Sequence, residues 1–221
     1  GLSHRVQVRS ADWTDDLAED RLPQAVGAFA DPSPRIGKSG GVSRRRVFSL
    51  PEMEPPLAIL TALQIRVPAL GIKVMPGVSD DELPDDCGVE FTGHAGACKE
   101  AMLWFGPLAI HRRWATVHEA GRWHTIIAEE AISPGKPISN CIAGPTGQQR
   151  LKTGSIQANE SASEPLPLSE LTAGKILYEP HPAVIRAGAF AELCRQLDAQ
   201  LIDPHIAYLL SAGYHEHPLA Q

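Results

Sequence analysis

Two strand-like runs near the start each finish on an acid: Arg5-Val6-Gln7-Val8-Arg9-Ser10-Ala11-Asp12, then Ala25-Val26-Gly27-Ala28-Phe29-Ala30-Asp31-Pro32. Ligands of an open α/β sheet sit outside the carboxyl ends of its strands, so consecutive strands that end on carboxylates present ligand contacts. The first run alternates apolar and polar residues. The second is almost wholly apolar, as suits a strand buried on both faces. Only Gly1-Leu2-Ser3-His4 precede the first run. The strand and glycine-rich turn that usually open such a fold are therefore not expected here, and the chain reads as starting inside a ligand-binding domain.

The chain after Asp31 is stiff, then basic. The two prolines of Asp31-Pro32-Ser33-Pro34-Arg35 exclude a regular helix or strand where the acid is displayed. From Arg35 to Arg46 the chain carries Arg35, Lys38, Arg44, Arg45 and Arg46 and no acid. Pro55-Pro56 then open a helix, since proline is tolerated in a first turn. Leu57, Leu60 and Leu63 recur at helical spacing, with Ile59 and Val67 broadening the face. Gly71-Ile72-Lys73-Val74-Met75-Pro76-Gly77 is a short strand between breakers. Helix then strand, after two strands, is the alternation of a parallel α/β sheet.

The pattern then changes. Val89-Glu90-Phe91-Thr92-Gly93 and Ala101-Met102-Leu103-Trp104-Phe105-Gly106 predict one hairpin. Trp114-Ala115-Thr116-Val117-His118 and Trp123-His124-Thr125-Ile126-Ile127 predict a second around Glu119-Ala120-Gly121-Arg122. Residues 133–170 are rich in Pro, Gly, Ser, Thr, Asn and Gln and have too little apolar surface to offset the entropy of ordering them. A helix is expected from Pro182 to about Ala199, with Ile185, Ala189, Leu193 and Leu197 at intervals of four. Asp203-Pro204 is expected to start a short helix through Tyr208-Leu209-Leu210.

The resulting organisation is 1–87, part of a parallel α/β domain; 88–132, a mostly antiparallel section; 133–174, a linker; and 175–221, a helical module. The 221 residues are 43% hydrophobic, enough for a core, and no apolar run is long enough to cross a bilayer. With neither an initiator Met nor a signal peptide, a cytoplasmic location is the default expectation. Cys87, Cys98, Cys141 and Cys194 form no CxxC and read as free thiols. The histidines on presumed strands, His111, His118 and His124, have no acid at ligand spacing, so no metal is expected. A net charge of −6 argues against a protein coated in basic surface, though not against the local patch at 35–46.

Several blocks together resemble a family. They are Ala11-Asp12-Trp13, Asp31-Pro32-Ser33-Pro34-Arg35, the segment from Pro68 to Gly77, the segment from Lys99 to Pro107, and Leu177-Tyr178-Glu179-Pro180-His181-Pro182-Ala183-Val184-Ile185-Arg186-Ala187-Gly188. With Asp203-Pro204-His205-Ile206-Ala207-Tyr208-Leu209, this order is similar to that of bacterial class I S-adenosylmethionine (SAM)-dependent methyltransferases with a THUMP-like C-terminal domain. The resemblance covers about 1–130 and 175–210. It implies the C-terminal half of a Rossmann-like sheet, a ferredoxin-like section at 88–132 and a partial THUMP-like module. It also implies SAM as cofactor and RNA as partner, the latter by analogy.

Residue by residue, the resemblance makes Asp12 the acceptor for the adenine amino group and lays Trp13 against the ring. Asp31, with Pro32 and Arg35, falls in the loop where the methyl acceptor meets the sulfonium. The loop departs from the Asn-Pro-Pro-Tyr type that marks amino methylation of bases, the glycine-rich SAM loop is missing, and the THUMP-like module is short. The chain is thus expected to be a fragment that binds SAM weakly or not at all.

Each site residue has a plainer reading. Asp12 is equally suited to capping a helix. Asp31 could cap a turn that Pro32 and Pro34 stiffen. Lys38, Arg44, Arg45 and Arg46 could be a solvated loop rather than phosphate contacts beside the active site. Trp104 and Phe105 could be core rather than a stacking platform. Two other functions also fit: a non-catalytic RNA-binding protein that keeps the scaffold, and a protein-interaction scaffold.

Overall fold

The computed structural model describes residues 5–33, 35–36, 45–46, 49–128, 172–203 and 205–221. The linker expected at 133–170 lies outside them. In chain order the helices are α1 (Trp13–Ala18), α2 (Leu57–Arg66), α3 (Pro182–Ala187) and α4 (Phe190–Leu197). The strands are β1 (Ala28–Ala30), β2 (Arg35–Ile36), β3 (Arg45–Arg46), β4 (Leu70–Val74), β5 (Gly88–His94), β6 (Ala97–Trp104), β7 (Arg113–Glu119) and β8 (Arg122–Ile127). After α3 and α4, with β9 (Ile176–Tyr178) before them, come β10 (Ala199–Asp203) and β11 (Ile206–Ser211).

Six strands make one mixed sheet in the order β1-β4-β6-β5-β7-β8. β1 runs parallel to β4, as the helix between them requires. β6 is antiparallel to both β4 and β5, and β5 is parallel to β7. Both expected hairpins form, closed by two-residue turns whose central residues, Ala95-Gly96 and Ala120-Gly121, all have positive φ. The section at 88–127 extends the β1–β4 sheet through β6 instead of building a sheet of its own.

Strand alternation gives this sheet two unlike faces. Leu70, Ile72, Val89, Phe91, Leu103, Ala115 and Val117 are buried on one, together with Leu60 and Leu63 of α2. Each large apolar side chain fully buried there stabilises the fold by about 1.5–3 kcal/mol. Registers Glu90↔Met102, Thr92↔Thr116, His94↔His118 and His118↔Trp123 put polar and aromatic residues on the other.

The C-terminal section docks onto the apolar face through α3, which packs against β5, β6 and β7. His181 caps α3, its Nδ1 accepting from the Ala183 amide at 3.1 Å. Arg186 donates to the carbonyls of Pro76 (2.8 Å) and Val78 (2.6 Å), and Arg113 to those of Ala187 (3.2 Å) and Arg186 (2.6 Å). Both guanidinium groups lie over the Phe91 ring, at 5.2 Å for Arg186 and 5.5 Å for Arg113. The most distinctive sequence block, 177–188, is therefore a docking element.

Four local expectations are corrected. Residues 6–12 form no strand; the segment is exposed and held by the Arg9–Asp16 ion pair at 2.9 Å. β1 is not buried on both faces: Phe29, beside Gly71 and Trp104 on the uncovered face of the sheet, is 61% exposed. The helix expected from Pro182 to Ala199 is two, broken where Gly188 enters the left-handed region at φ 70°. Finally, 203–210 is not helical. Asp203 Oδ1 accepts from the His205 amide at 2.7 Å, an Asx turn that starts a strand. The strand, β11, lies between β10 and β9, so 175–221 carries a three-stranded sheet as well as helices. No helix among the described residues is long and apolar enough to cross a membrane.

Candidate functional site

The carboxyl end of β1 opens into a cleft of about 380 Å³ lined by Trp13, Leu22, Phe29, Ala30, Asp31, Pro32, Glu54, Pro55 and Leu63. Trp13 belongs to α1, whose N-terminus is fixed by Asp12. The Asp12 carboxylate accepts from Thr14 twice, from the amide at 2.9 Å and from the hydroxyl at 2.6 Å. These bonds favour the ionised form and lower its pKa. Asp12 thus takes the capping role.

Asp16, on the same short helix, is buried and paired with Arg9 at 2.9 Å and Arg21 at 3.0 Å. Those pairs hold the turn after α1, and with it Leu22, against the cleft.

Asp31 leaves the end of β1 with its side chain half exposed. Pro32 is buried behind it, and Ser33 anchors the loop by donating its amide to the Glu54 carbonyl at 2.9 Å. The parallel register Ala30↔Ile72 brings Asp31 alongside Lys73. Lys73 Nζ donates to Asp31 Oδ2 at 2.6 Å, and this bond raises the lysine pKa.

Trp13, Asp31 and Pro32 are therefore brought into one cleft. Arg35 lies in β2, paired with Arg46, and Ile36 pairs with Arg45. That short ribbon sets Arg35, Arg45 and Arg46 together just after the Asp31 loop. Lys38 and Arg44 lie outside the described residues. Trp104 is neither simple core nor a free platform: it is half-buried on the open face and donates Nε1 to Glu90 Oε2 at 2.9 Å. Phe105 is core.

Sequence reasoning missed Lys73, Glu54 and Pro55. Lys73 had a signal. It is the one charged residue in the run Leu70-Gly71-Ile72-Lys73-Val74, and parallel pairing of that run with Ala28-Phe29-Ala30 places it next to the following acid. Glu54 and Pro55 reach the cleft through the pairing of Ser33 with Glu54, which no local pattern announces.

No family model matches this chain, and no curated protein does. Among solved structures it is similar to the crystal structure of a putative methyltransferase from Porphyromonas gingivalis W83, at 17% identity and a TM-score of 0.54. The match covers 93% of this chain and 44% of that one. The chain shares its fold with the matched part of that protein. It spans less than half the length of the protein it resembles.

Proposed function

We propose that this chain is part of a SAM-dependent methyltransferase that acts on RNA, with the Asp31 loop at the methyl-acceptor site. The observation that carries the reading is the shared cleft: Trp13 and Asp31-Pro32 line one opening at the carboxyl end of β1. Ligands of such sheets bind there.

Methyl transfer from a sulfonium is an in-line displacement, and the protein's work is alignment and exclusion of water. SAM supplies the activated methyl group. Trp13 offers its ring to the adenine. Asp12 caps α1, and a carboxylate with about four acceptor sites has room for an adenine amino group as well. Asp31 orients an acceptor amine or hydroxyl and takes its proton. Arg35, Arg45 and Arg46 on the β2–β3 ribbon, with Lys38 and Arg44, hold RNA phosphates and position the strand without reading its sequence.

The test is transfer of a radiolabelled methyl group from SAM to RNA by the full-length protein. Asp31→Ala should abolish transfer and leave SAM affinity within about severalfold, because Asp31 acts on the acceptor. Retained turnover would remove Asp31 from the chemistry. Steeply salt-dependent RNA binding without transfer by the wild type would favour a non-catalytic RNA-binding protein.

A further inference from the structure

We propose that His94 and His118 form a binding site for a divalent transition metal of the zinc and copper class, on the open face of the sheet. The site is independent of the Asp31 cleft. β7 lies four strands from β1, about 19 Å at the usual spacing between strands.

The two histidines face each other in the parallel register of β5 and β7. Their Nδ1 atoms are 3.4 Å apart, and His94 Nδ1 is 3.1 Å from the backbone carbonyl oxygen of His118. The first distance is long for a nitrogen hydrogen bond, which prefers about 2.7–3.2 Å. It suits a shared cation. Two imidazole nitrogens each about 2.0–2.1 Å from a tetrahedral metal are about 3.4 Å apart.

His94 Nδ1 thus has two further lone-pair donors within 3.4 Å: the other imidazole nitrogen and one carbonyl oxygen. In the tautomer that carries its proton on Nδ1, His94 can donate to that carbonyl. A divalent cation in that proton's place would satisfy all three atoms. Imidazole with an oxygen donor suits Zn²⁺ and Cu²⁺. The remaining coordination positions face solvent, since His94 is exposed and His118 half-buried.

The pair is also held in place. His94 runs directly into the Ala95-Gly96 turn, and His118 is one residue short of the Ala120-Gly121 turn. Both turns are of the tight, twist-matched kind that fixes hairpin register. Among the described residues no group of three or more His, Cys, Asp or Glu side chains gathers as a metal cage. The proposed site is accordingly a two-histidine clamp completed by the carbonyl and water.

The His118 ring lies 4.9 Å from the Trp123 ring, which supplies a reporter. Titration of the full chain with Zn²⁺ by calorimetry, and with Cu²⁺ by tryptophan fluorescence, tests the site. One site is expected, with Trp123 quenched by Cu²⁺. His94→Ala and His118→Ala should each weaken binding by about tenfold or more, since each removes a ligand. Trp123→Phe should keep the affinity and lose most of the quenching. His205→Ala, far along the sequence and paired with Asp203, is the control and should change nothing. Both ligands lie on the open face, so circular dichroism should show the variants folded. Unchanged affinity in the double variant His94→Ala/His118→Ala would overturn the proposal, as would no wild-type binding at about 1 mM metal.

Discussion

Lys73 Nζ donates to Asp31 Oδ2 at 2.6 Å across two neighbouring parallel strands, at the mouth of the cleft. The side chains are 38% and 54% exposed, so water screens the pair. An exposed pair of this kind contributes about 0–1 kcal/mol to stability. Its consequence is positional: the ammonium holds one carboxylate oxygen and fixes where the other points.

Lys73→Met should therefore leave the urea midpoint of the chain nearly unchanged, with a stability loss under about 1 kcal/mol. Under the proposed function, the same substitution should lower methyl transfer while leaving the fold intact. A large stability loss would mean that the pair fastens β1 to β4.

Gly93 sits where β5 meets the cap of α3. A methyl group there would clash with His181 Cε1 and lie 3.0 Å from Val117 Cγ2. His181 is buried and engaged in capping, so it has little room to withdraw. Gly93→Ala should destabilise by about 1–3 kcal/mol, the usual effect of overpacking a core. Denaturant unfolding measures it. A change near zero would show that α3 slides on the sheet.

These particulars mark how far the sequence could be read. The hairpins were legible because alternation and turn residues are local. The sequence points to Asp31 through a strand end and to Trp13 through a block of residues, and both line the cleft. The break at Gly188 was not, because the apolar spacing of Ile185, Ala189, Leu193 and Leu197 runs straight across it. β11 was misread because Asp203-Pro204 suits a helix start, and only the β10 and β9 partners decide otherwise. Asp12 carried two readings that no pattern separates; its bonds to Thr14 realise the cap.

His181 should make stability depend on pH. Burial lowers its pKa, with Glu119 opposing and Lys99 assisting. The folded state thus holds His181 neutral while the unfolded chain binds a proton more readily. The unfolded state then carries more protons as pH falls below about 6.5, and stability declines there with acidification. His217, also lowered by burial, adds to the slope. His181→Asn keeps an acceptor for the Ala183 amide and removes the titration. Melting temperatures from about pH 7.5 to about 5.5 should fall less steeply in this variant than in the wild type. Equal slopes would show that His181 contributes nothing.

Cys87 and Cys98 give an independent reading of the core. Burial pushes the Cys87 thiol up to about 12 and Cys98 up to about 11. Cys87 has no exposed surface and lies under Arg112, whose guanidinium donates to the Cys87 carbonyl at 2.7 Å and the Pro84 carbonyl at 2.9 Å. The thiolate is the reactive form, and at about pH 8 a thiol with such a pKa is ionised only about one part in ten thousand. Iodoacetamide should therefore modify Cys87 only when the chain opens, with Cys98 reacting slowly and ahead of it. Peptide mapping after timed labelling distinguishes the two, and urea should release Cys87 in step with unfolding. Labelling of Cys87 within minutes in the native chain would mean that the loop from Pro84 to Cys87 opens locally, and that the Arg112 bonds do not close the end of β5.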